Sequence, residues 1–300
     1  MNSESRNENP DVICVGQAVI DCITRGREEK PYKENVWRAE NIALSTGGDA
    51  VNESFALASF GRSVRLVCGT GADLAGGILR NEALKRGIDC SCMTVSRALV
   101  TPIANLIVRE DGSRFSINSA ATKLEGYTPS AEALSGGKIV SFASLFRAPL
   151  DDPEIVCGLI RAAHKSGGVI CADTKLPTFR KMSLEDLREV LPLIDYIFPN
   201  EKEAAYYSGM EKYADMTRVF REYGVKNVII KTGPDGCFAD LSGETLSLPA
   251  LPVPVVDTTG AGDHFVAGFI NALLDGCGTD ECLQNALKTA SLCVQHMGAS

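Results

Sequence analysis

The stretch "DTTGAGD", Asp257 to Asp263, places a Thr pair, two glycines with an alanine between them and a carboxylate just before the apolar run "HFVAGFINALL". An apolar run entered from a Gly-rich turn predicts a helix that starts at the turn. A helix N-terminus carries N–H groups without intrahelical acceptors and about half a unit of positive charge. Gly260, Ala261 and Gly262 have almost no side chain to shield those groups, so an anion can approach the backbone closely. Asp263 is out of place in a cradle that only binds an anion, because it repels one. A carboxylate there suits a general base that takes a proton from a nucleophile attacking the anion. The same residues also read as a plain helix cap with Asp263 as a first-turn acid, and the stretch alone leaves both readings open.

Other chemistry-bearing patterns are fewer. In "PNEKE", Asn200 and Glu203 stand at N-x-x-E spacing. Asn at an N-cap with Glu at N3 is a capping-box pattern, and Pro199 before it fits a helix start. "GTGADLAGG" has G-x-G at Gly69 and Gly71, but Leu74 occupies the place where G-x-G-x-x-G needs its last glycine. No P-loop pattern G-x-x-x-x-G-K-[ST] occurs. The close cysteine pairs Cys90/Cys92 and Cys277/Cys282 lack the twin C-x2-C spacing of a zinc site. His164, His264 and His296 have no partner pattern and read as structural.

The elements that must position these residues follow a steady rhythm. "DVICVGQAVI" reads as a buried first strand with a Gly break. "GGDAVNESFALASFG" reads as a turn, a helix and a Gly stop; "VRLVCGTG" as a strand; "DLAGGILRNEALKRG" as a helix opened by Asp73. "TPIANLIVRE" and "SRFSIN", split by "DG", predict a hairpin. Strands "KIVSFAS", "GVICAD", "YIFP" and "NVIIKTG" then alternate with helices "DPEIVCGLIRAAHKSG", "SLEDLREVLPLI", "NEKEAAYYSG" and "TRVFREYG", and "GCFADLSGETLSLPA" is a late hairpin. Alternating strands and helices predict an α/β fold with a parallel sheet covered on both faces. The mixed stretch at 23–42 and the hairpin near 93–117 interrupt the rhythm and predict a small separate sheet.

Composition narrows the function classes. With 300 residues, 45% of them apolar, the chain suits one large domain, or one domain with a small appendage. A net charge of -8 argues against a broad nucleic-acid or anionic-membrane surface. No run approaches the length of a membrane span. Eleven scattered cysteines and an N-terminus without a signal-peptide layout predict reduced thiols and a cytoplasmic protein.

"DTTGAGDHFVAGF" resembles the C-terminal signature of the ribokinase-like (PfkB) carbohydrate kinases, and further anchors follow in the family's order. "GQAVID" resembles the first strand, with Asp21 at the position that holds sugar hydroxyls. "GGDAVNESFALASFG" resembles the N-terminal signature, a Gly pair followed by Asn52. "GTGADLAGG", "DYIFPNEKE" and "IIKTGPDGCF" resemble the family's G-x-G-x-D-x-x-G, N-x-x-E and Gly-turn segments. The resemblance implies a three-layer α/β core over 11–300 with a mostly parallel central sheet. It also implies a β lid from about 20–45 and 93–120, beyond a disordered tail at 1–10, and a homodimer through the lid. It implies phosphoryl transfer from ATP to a hydroxyl, with Asp263 as base and the Gly260–Asp263 backbone stabilising the phosphoryl group. Asp21, Gly48, Asp49 and Asn52 would face the acceptor. Lys231, Thr232, Gly233, Gly236 and Asn200 would line the nucleotide, and Asn200 with Glu203 would hold Mg²⁺ through water. Asp257 and the main chain of Thr259 match positions that hold a monovalent cation such as K⁺ in some members, with Gly298 and Ser300 of "HMGAS" resembling the companion loop.

The acceptor is less legible. "GGD" departs from the Gly-Gly-Lys of ribokinases and resembles 2-keto-3-deoxygluconate kinases and related sugar kinases, which points to a sugar, ketose or sugar acid. A sugar acid needs a cation, for which Arg97, Arg109, Arg114, Arg147 and Lys175 are candidates, each also readable as a solvated charge. A nucleoside acceptor needs an apolar lid, for which Tyr32, Trp37 and Phe115 are available. A third reading, an interaction protein that keeps only the fold, would be expected to lose the base or the N-x-x-E pair, and both are intact.

Overall fold

The structure is a computed structural model, which describes residues 9–25, 39–109 and 114–298. The first strand pattern divides at Gly16. Its first part is β1 (Val12–Val15) and its second β2 (Val19–Arg25), which belongs to a different sheet. β3 (Asn41–Gly47) leads into helix α1 (Asp49–Ser59), and β4 (Val64–Val67) and β5 (Gly69–Gly71) precede α2 (Leu74–Lys85). β6 (Thr94–Ser96), β7 (Ile103–Val108) and β8 (Arg114–Asn118) follow. Then come β9 (Ile139–Leu145), α3 (Pro153–Lys165), β10 (Val169–Thr174), β11 (Tyr196–Ile197), α4 (Glu201–Ser208) and α5 (Tyr213–Glu222). β12 (Asn227–Lys231), β13 (Cys237–Leu241), β14 (Glu244–Leu248), α6 (Ala261–Leu274) and α7 (Thr279–Cys293) complete the order.

The central sheet has eight strands in the order β14-β13-β12-β11-β10-β9-β1-β4. It is parallel from β4 to β12, and only the β12–β13–β14 hairpins run antiparallel. Its strands are apolar at successive positions because both faces are covered. On β1, Val12 and Cys14 enter the core under α1, α6 and α7, while Ile13 and Val15 enter the core under α3, α4 and α5. The fold is thus three layers, helix on sheet on helix. A consequence matters for the site: β9, β10, β11 and β12 all end at the same edge, where open α/β sheets gather ligands.

A second sheet of four strands, β3-β2-β7-β8, lies over that edge as a lid. Register fixes its two faces. Asp21 pairs with Ser45 and Ala104, whereas Cys22 pairs with Leu44 and Asn105, so Asp21 faces away from Leu44. Thr24 pairs with Ile107, which pairs with Phe115, so Phe115 shares the Leu44 face. Ile42, Leu44, Phe115 and Ile117 are exposed on that face.

Asp73 caps α2 by accepting from Gly76 N at 2.8 Å, as the sequence predicts, and also binds Thr101 N at 2.9 Å and Thr101 Oγ1 at 2.7 Å. A Cβ on Gly76 would stand 2.3 Å from Gly71 O, so this buckle requires glycine there. Two element expectations fail. The "SLEDLREVLPLI" helix is instead two 3-10 turns, Glu185–Leu187 and Leu191–Leu193. Pro192 lacks an N–H and disfavours the α conformation at Leu191. Helix α7, with its mixed sequence "TDECLQNALKTASLC", has no counterpart in the sequence reading.

Candidate active site

Gly260 adopts φ 77°, the left-handed region, and turns the chain into α6. A side chain at that φ is strained, which is why the cap is glycine. The first intrahelical acceptor is Gly260 O, taken by His264 N at 2.9 Å, and Ala261 N turns back to Thr258 O at 3.3 Å. The N–H groups of Gly262 and Asp263 therefore lie in the helix's open first turn. A Cβ on Gly262 would stand 3.3 Å from Lys231 Nζ, so a cation from the end of β12 reaches the mouth of the helix.

Asp263 is buried beside this mouth. Asn52 Nδ2 donates to its Oδ2 at 2.7 Å, and Lys175 Nζ lies 3.4 Å from its Oδ1. Asn52 Oδ1 is buried with no hydrogen-bond partner, so the amide's hold on Asp263 is one-sided. Lys175, just past β10, also meets Asp49 Oδ1 and Asp173 Oδ2, each at 3.1 Å. Asp173 in turn accepts from Lys231. The carboxylate of Asp49 takes a further bond from Ser144 Oγ at 2.9 Å. These groups thus form one charged chain, Asp49–Lys175–Asp173–Lys231.

Protonation follows from burial and neighbours. Burial pushes Asp263 up to about 7; Asp49 and Asp173 push the same way, while Lys175 and the Asn52 hydrogen bond oppose them. Burial also works against ionised Asp49, but Lys175 and Arg147 hold it below the ordinary carboxylate range. Burial disfavours the Lys175 ammonium, yet Asp173, Asp49 and Asp263 outweigh that and raise its pKa well above normal. Glu53, fully buried on α1, is driven well above the carboxylate range by burial and by Asp173, although Ser141 Oγ donates to it at 2.5 Å.

Residues 9–300 match the pfkB family carbohydrate kinases. The chain belongs to that family. It is accordingly a phosphotransferase with an alcohol group as acceptor. This kinase is 28% identical to ribokinase of Haemophilus influenzae over 265 residues, covering 87% of this chain and 84% of that one. It is 27% identical to cytidine kinase of Thermococcus kodakarensis, covering 96% and 97%. The structure of Arabidopsis thaliana ribokinase complexed with ribose and ATP matches with a TM-score of 0.82 at 27% identity, covering 96% of this chain and 94% of that one.

The kinase brings most of the candidate residues together. Asp21 lies against Gly47, where a Cβ would come within 2.2 Å of its Oδ2, and Gly48 at φ 93° packs on Gln17 O before Asp49 opens α1. Thr232 is buried, and its N–H donates to Gly236 O at 2.9 Å across the Gly233–Gly236 turn. Gly236, at φ 101°, packs so closely on Leu248 O that a Cβ would lie 2.0 Å from it. Asn200 and Glu203 form a complete capping box: Glu203 N donates to Asn200 Oδ1 and Asn200 N to Glu203 Oε2, each at 3.0 Å. Thr174 Oγ1 and Asn200 Nδ2 also donate to Glu203, at 2.9 and 2.7 Å. Its carboxylate is largely occupied, which fits Mg²⁺ only through intervening water. Asp257 accepts from Thr259 N at 2.9 Å, Thr259 Oγ1 at 2.7 Å and Gly298 N at 3.0 Å, so it clamps the loop to the C-terminal segment. Ser300 lies outside the described residues.

Among the remaining candidates, Arg97 is exposed, and Arg147 donates to Leu176 O at 3.2 Å. Arg109 follows β7 on the lid, and the side chain of Arg114 lies outside the described part of the structure, as do Tyr32 and Trp37. Phe115 is on the lid face turned from Asp21. His264 Nδ1 lies 3.0 Å from Gly260 O, while His164 and His296 are exposed. Asp173, Glu53 and Ser144 were not anticipated. The signal for Asp173 was present in "ADTK": charged residues ending a strand otherwise buried on both faces.

Proposed function

We propose that this kinase transfers the γ-phosphoryl group of ATP to a hydroxyl of a neutral sugar or ketose. The observation that carries the reading is Asp263: buried at the mouth of α6, oriented by Asn52, and with a pKa near 7 that suits a base at neutral pH. Asp263 takes the hydroxyl proton as the acceptor oxygen bonds to phosphorus and the bridging oxygen leaves with the ADP product. The N–H groups from Gly260 to Asp263 and the Lys231 ammonium stabilise the charge on the transferring group. Lys231, Thr232, Gly233, Gly236 and Asn200 line the nucleotide. Asn200 and Glu203 would hold Mg²⁺ through water, and the ion would supply charge neutralisation on the phosphates. No step is assigned to a monovalent cation at Asp257 and Thr259, because that carboxylate already serves the loop.

Asp21, Gly48, Asp49 and Asn52 form the acceptor side, where carboxylates and an amide match hydroxyl donors and acceptors. Lys175 was the most central cation available to a sugar acid, and it is already shared by three carboxylates. That favours a neutral acceptor over a sugar acid. A nucleoside acceptor is the second reading, supported by the similarity to cytidine kinase. The exposed apolar lid face of Ile42, Leu44, Phe115 and Ile117 supports pairing with a second copy through the lids, and the eleven free thiols support a reducing, cytoplasmic setting. An ATP-turnover panel of neutral sugars, ketoses, sugar acids and nucleosides tests the assignment. The expected result is a neutral sugar or ketose as best acceptor; a nucleoside or a sugar acid turning over while no neutral sugar reacts overturns it.

A further inference from the structure

Lys175 touches the proposed base, the acceptor side and the phosphate side of this site. Its Nζ lies 3.1 Å from Asp49, 3.1 Å from Asp173 and 3.4 Å from Asp263. Its backbone is held as tightly: Lys175 N donates to Leu145 O at 2.9 Å, and Tyr207 Oη donates to Lys175 O at 2.6 Å. The ammonium is thus shared among three carboxylates, by hydrogen bonds to Asp173 and Asp263 and an ion pair with Asp49, which leaves it little capacity for a ligand.

We propose that Lys175 is the positioning residue of the base: its ammonium fixes Asp263 Oδ1 and favours the carboxylate form, rather than binding the acceptor. The groups around Asp263 make this necessary. Asp49 and Glu53 face it from α1, Asp173 and Lys175 from the end of β10, Lys231 from the end of β12, and Cys293 from α7; His264 follows it on α6. Burial raises the Glu53 carboxyl well above the ordinary carboxylate range and pushes the Cys293 thiol up to about 12, which disfavours a charge on either. Asp49 and Asp173 are like charges, and Lys231 is already paired with Asp173. Lys175 is therefore the cation that offsets two carboxylates and burial at the base itself. An opposite charge at this range typically lowers a carboxyl pKa by about one to three units.

The inference rests on Asp263 as the base, so its test reads the carboxyl directly as well as the rate. Asp side-chain carboxyls are labelled with ¹³C and titrated by NMR in the free enzyme, with Asp263→Asn assigning the Asp263 signal. Lys175→Met is expected to move the Asp263 titration up by about one to three pH units and the acid limb of kcat/KM with it. Lys175→Arg is expected to return both toward wild type. An Asp263 titration unmoved in Lys175→Met, or moved as far in Lys175→Arg, overturns the proposal. If Lys175→Met does not fold, the double variant Asp173→Asn/Lys175→Met, read against Asp173→Asn alone, makes the same comparison. A shifted carboxyl titration in an enzyme whose Asp263→Asn variant still turns over would instead end the base assignment and leave the Lys175–Asp263 coupling intact.

Discussion

Asn52 and Asp263 are 211 residues apart in sequence and joined by a 2.7 Å hydrogen bond from Nδ2 to Oδ2 in the buried centre of the site. The donor belongs to α1 on the proposed acceptor side, and the carboxylate to α6 beside the proposed phosphate cradle. On that proposal the bond ties the two halves of the reaction together. Replacing Asn52 by Leu removes the donor and leaves Oδ2 unpaired. A hydrogen bond to a charged group contributes about 1.5–3 kcal/mol, so kcat should fall by roughly 10- to 100-fold. Steady-state kinetics at saturating acceptor check this, and an unchanged kcat contradicts it.

The raised pKa of Asp263 has a consequence for stability. The unfolded carboxyl releases its proton near pH 4, the folded one near 7. Between those values the native state holds more protons than the unfolded state, so this group's contribution to stability is full below about pH 4 and lost as pH rises through 7. Asp263→Asn lacks that loss. Its Tm relative to wild type should rise between pH 5 and pH 7 (about the span of the shift) and level off above. Melting curves across that range check it; a constant difference contradicts it.

Glu53 has an Oε1 buried without a partner, and burial, with Asp173 and Asp263 adding to it, raises its carboxyl well above the ordinary range and disfavours the ionised form. A neutral carboxyl and a Gln amide have the same shape and charge. Glu53→Gln should therefore leave both Tm and kcat near wild type at neutral pH. A large change in either shows that Glu53 is ionised in the working enzyme.

Asn200 and Glu203 serve the capping box whatever else they do. Asn200→Ala should lose about 0.5–2 kcal/mol of stability through the lost cap. Glu203→Gln keeps the box, since Gln also serves at N3. Losing the bond from Asn200 Nδ2 should lower its Tm slightly, and the variant should need more Mg²⁺ for half-maximal rate. A lower Tm with unchanged Mg²⁺ dependence assigns Glu203 to capping alone.

The sequence reveals the parallel sheet because both-face burial writes near-continuous apolar strands, as in β1 and β10, and because Asp73 and Asn200 mark helix starts with local hydrogen bonds. It reveals the mouth of α6 because an open helix end demands small residues in a row. The failures are non-local. The Gly16 break reads as an irregularity within one strand, yet it separates two sheets. The apolar period of 183–194 predicts a helix that Pro192 does not permit. Phe115 reads as a lid aromatic, but the register Thr24–Ile107–Phe115 turns it away from Asp21. Lys175 reads as one of five candidate cations because its partners come from positions 49, 173 and 263, which only the tertiary fold assembles.

The most direct measurement of the central claim is the turnover of Asp263→Asn on the best acceptor, with ATP affinity measured alongside. Asn keeps the size and the capping ability of Asp but cannot accept the proton. General-base catalysis contributes about 100- to 10,000-fold, or roughly 3–5 kcal/mol of barrier. The expected result is a fall in kcat of that size with ATP binding retained or tightened, because a negative charge beside the transferring phosphate has gone. Near-normal turnover in a folded Asp263→Asn variant would contradict it.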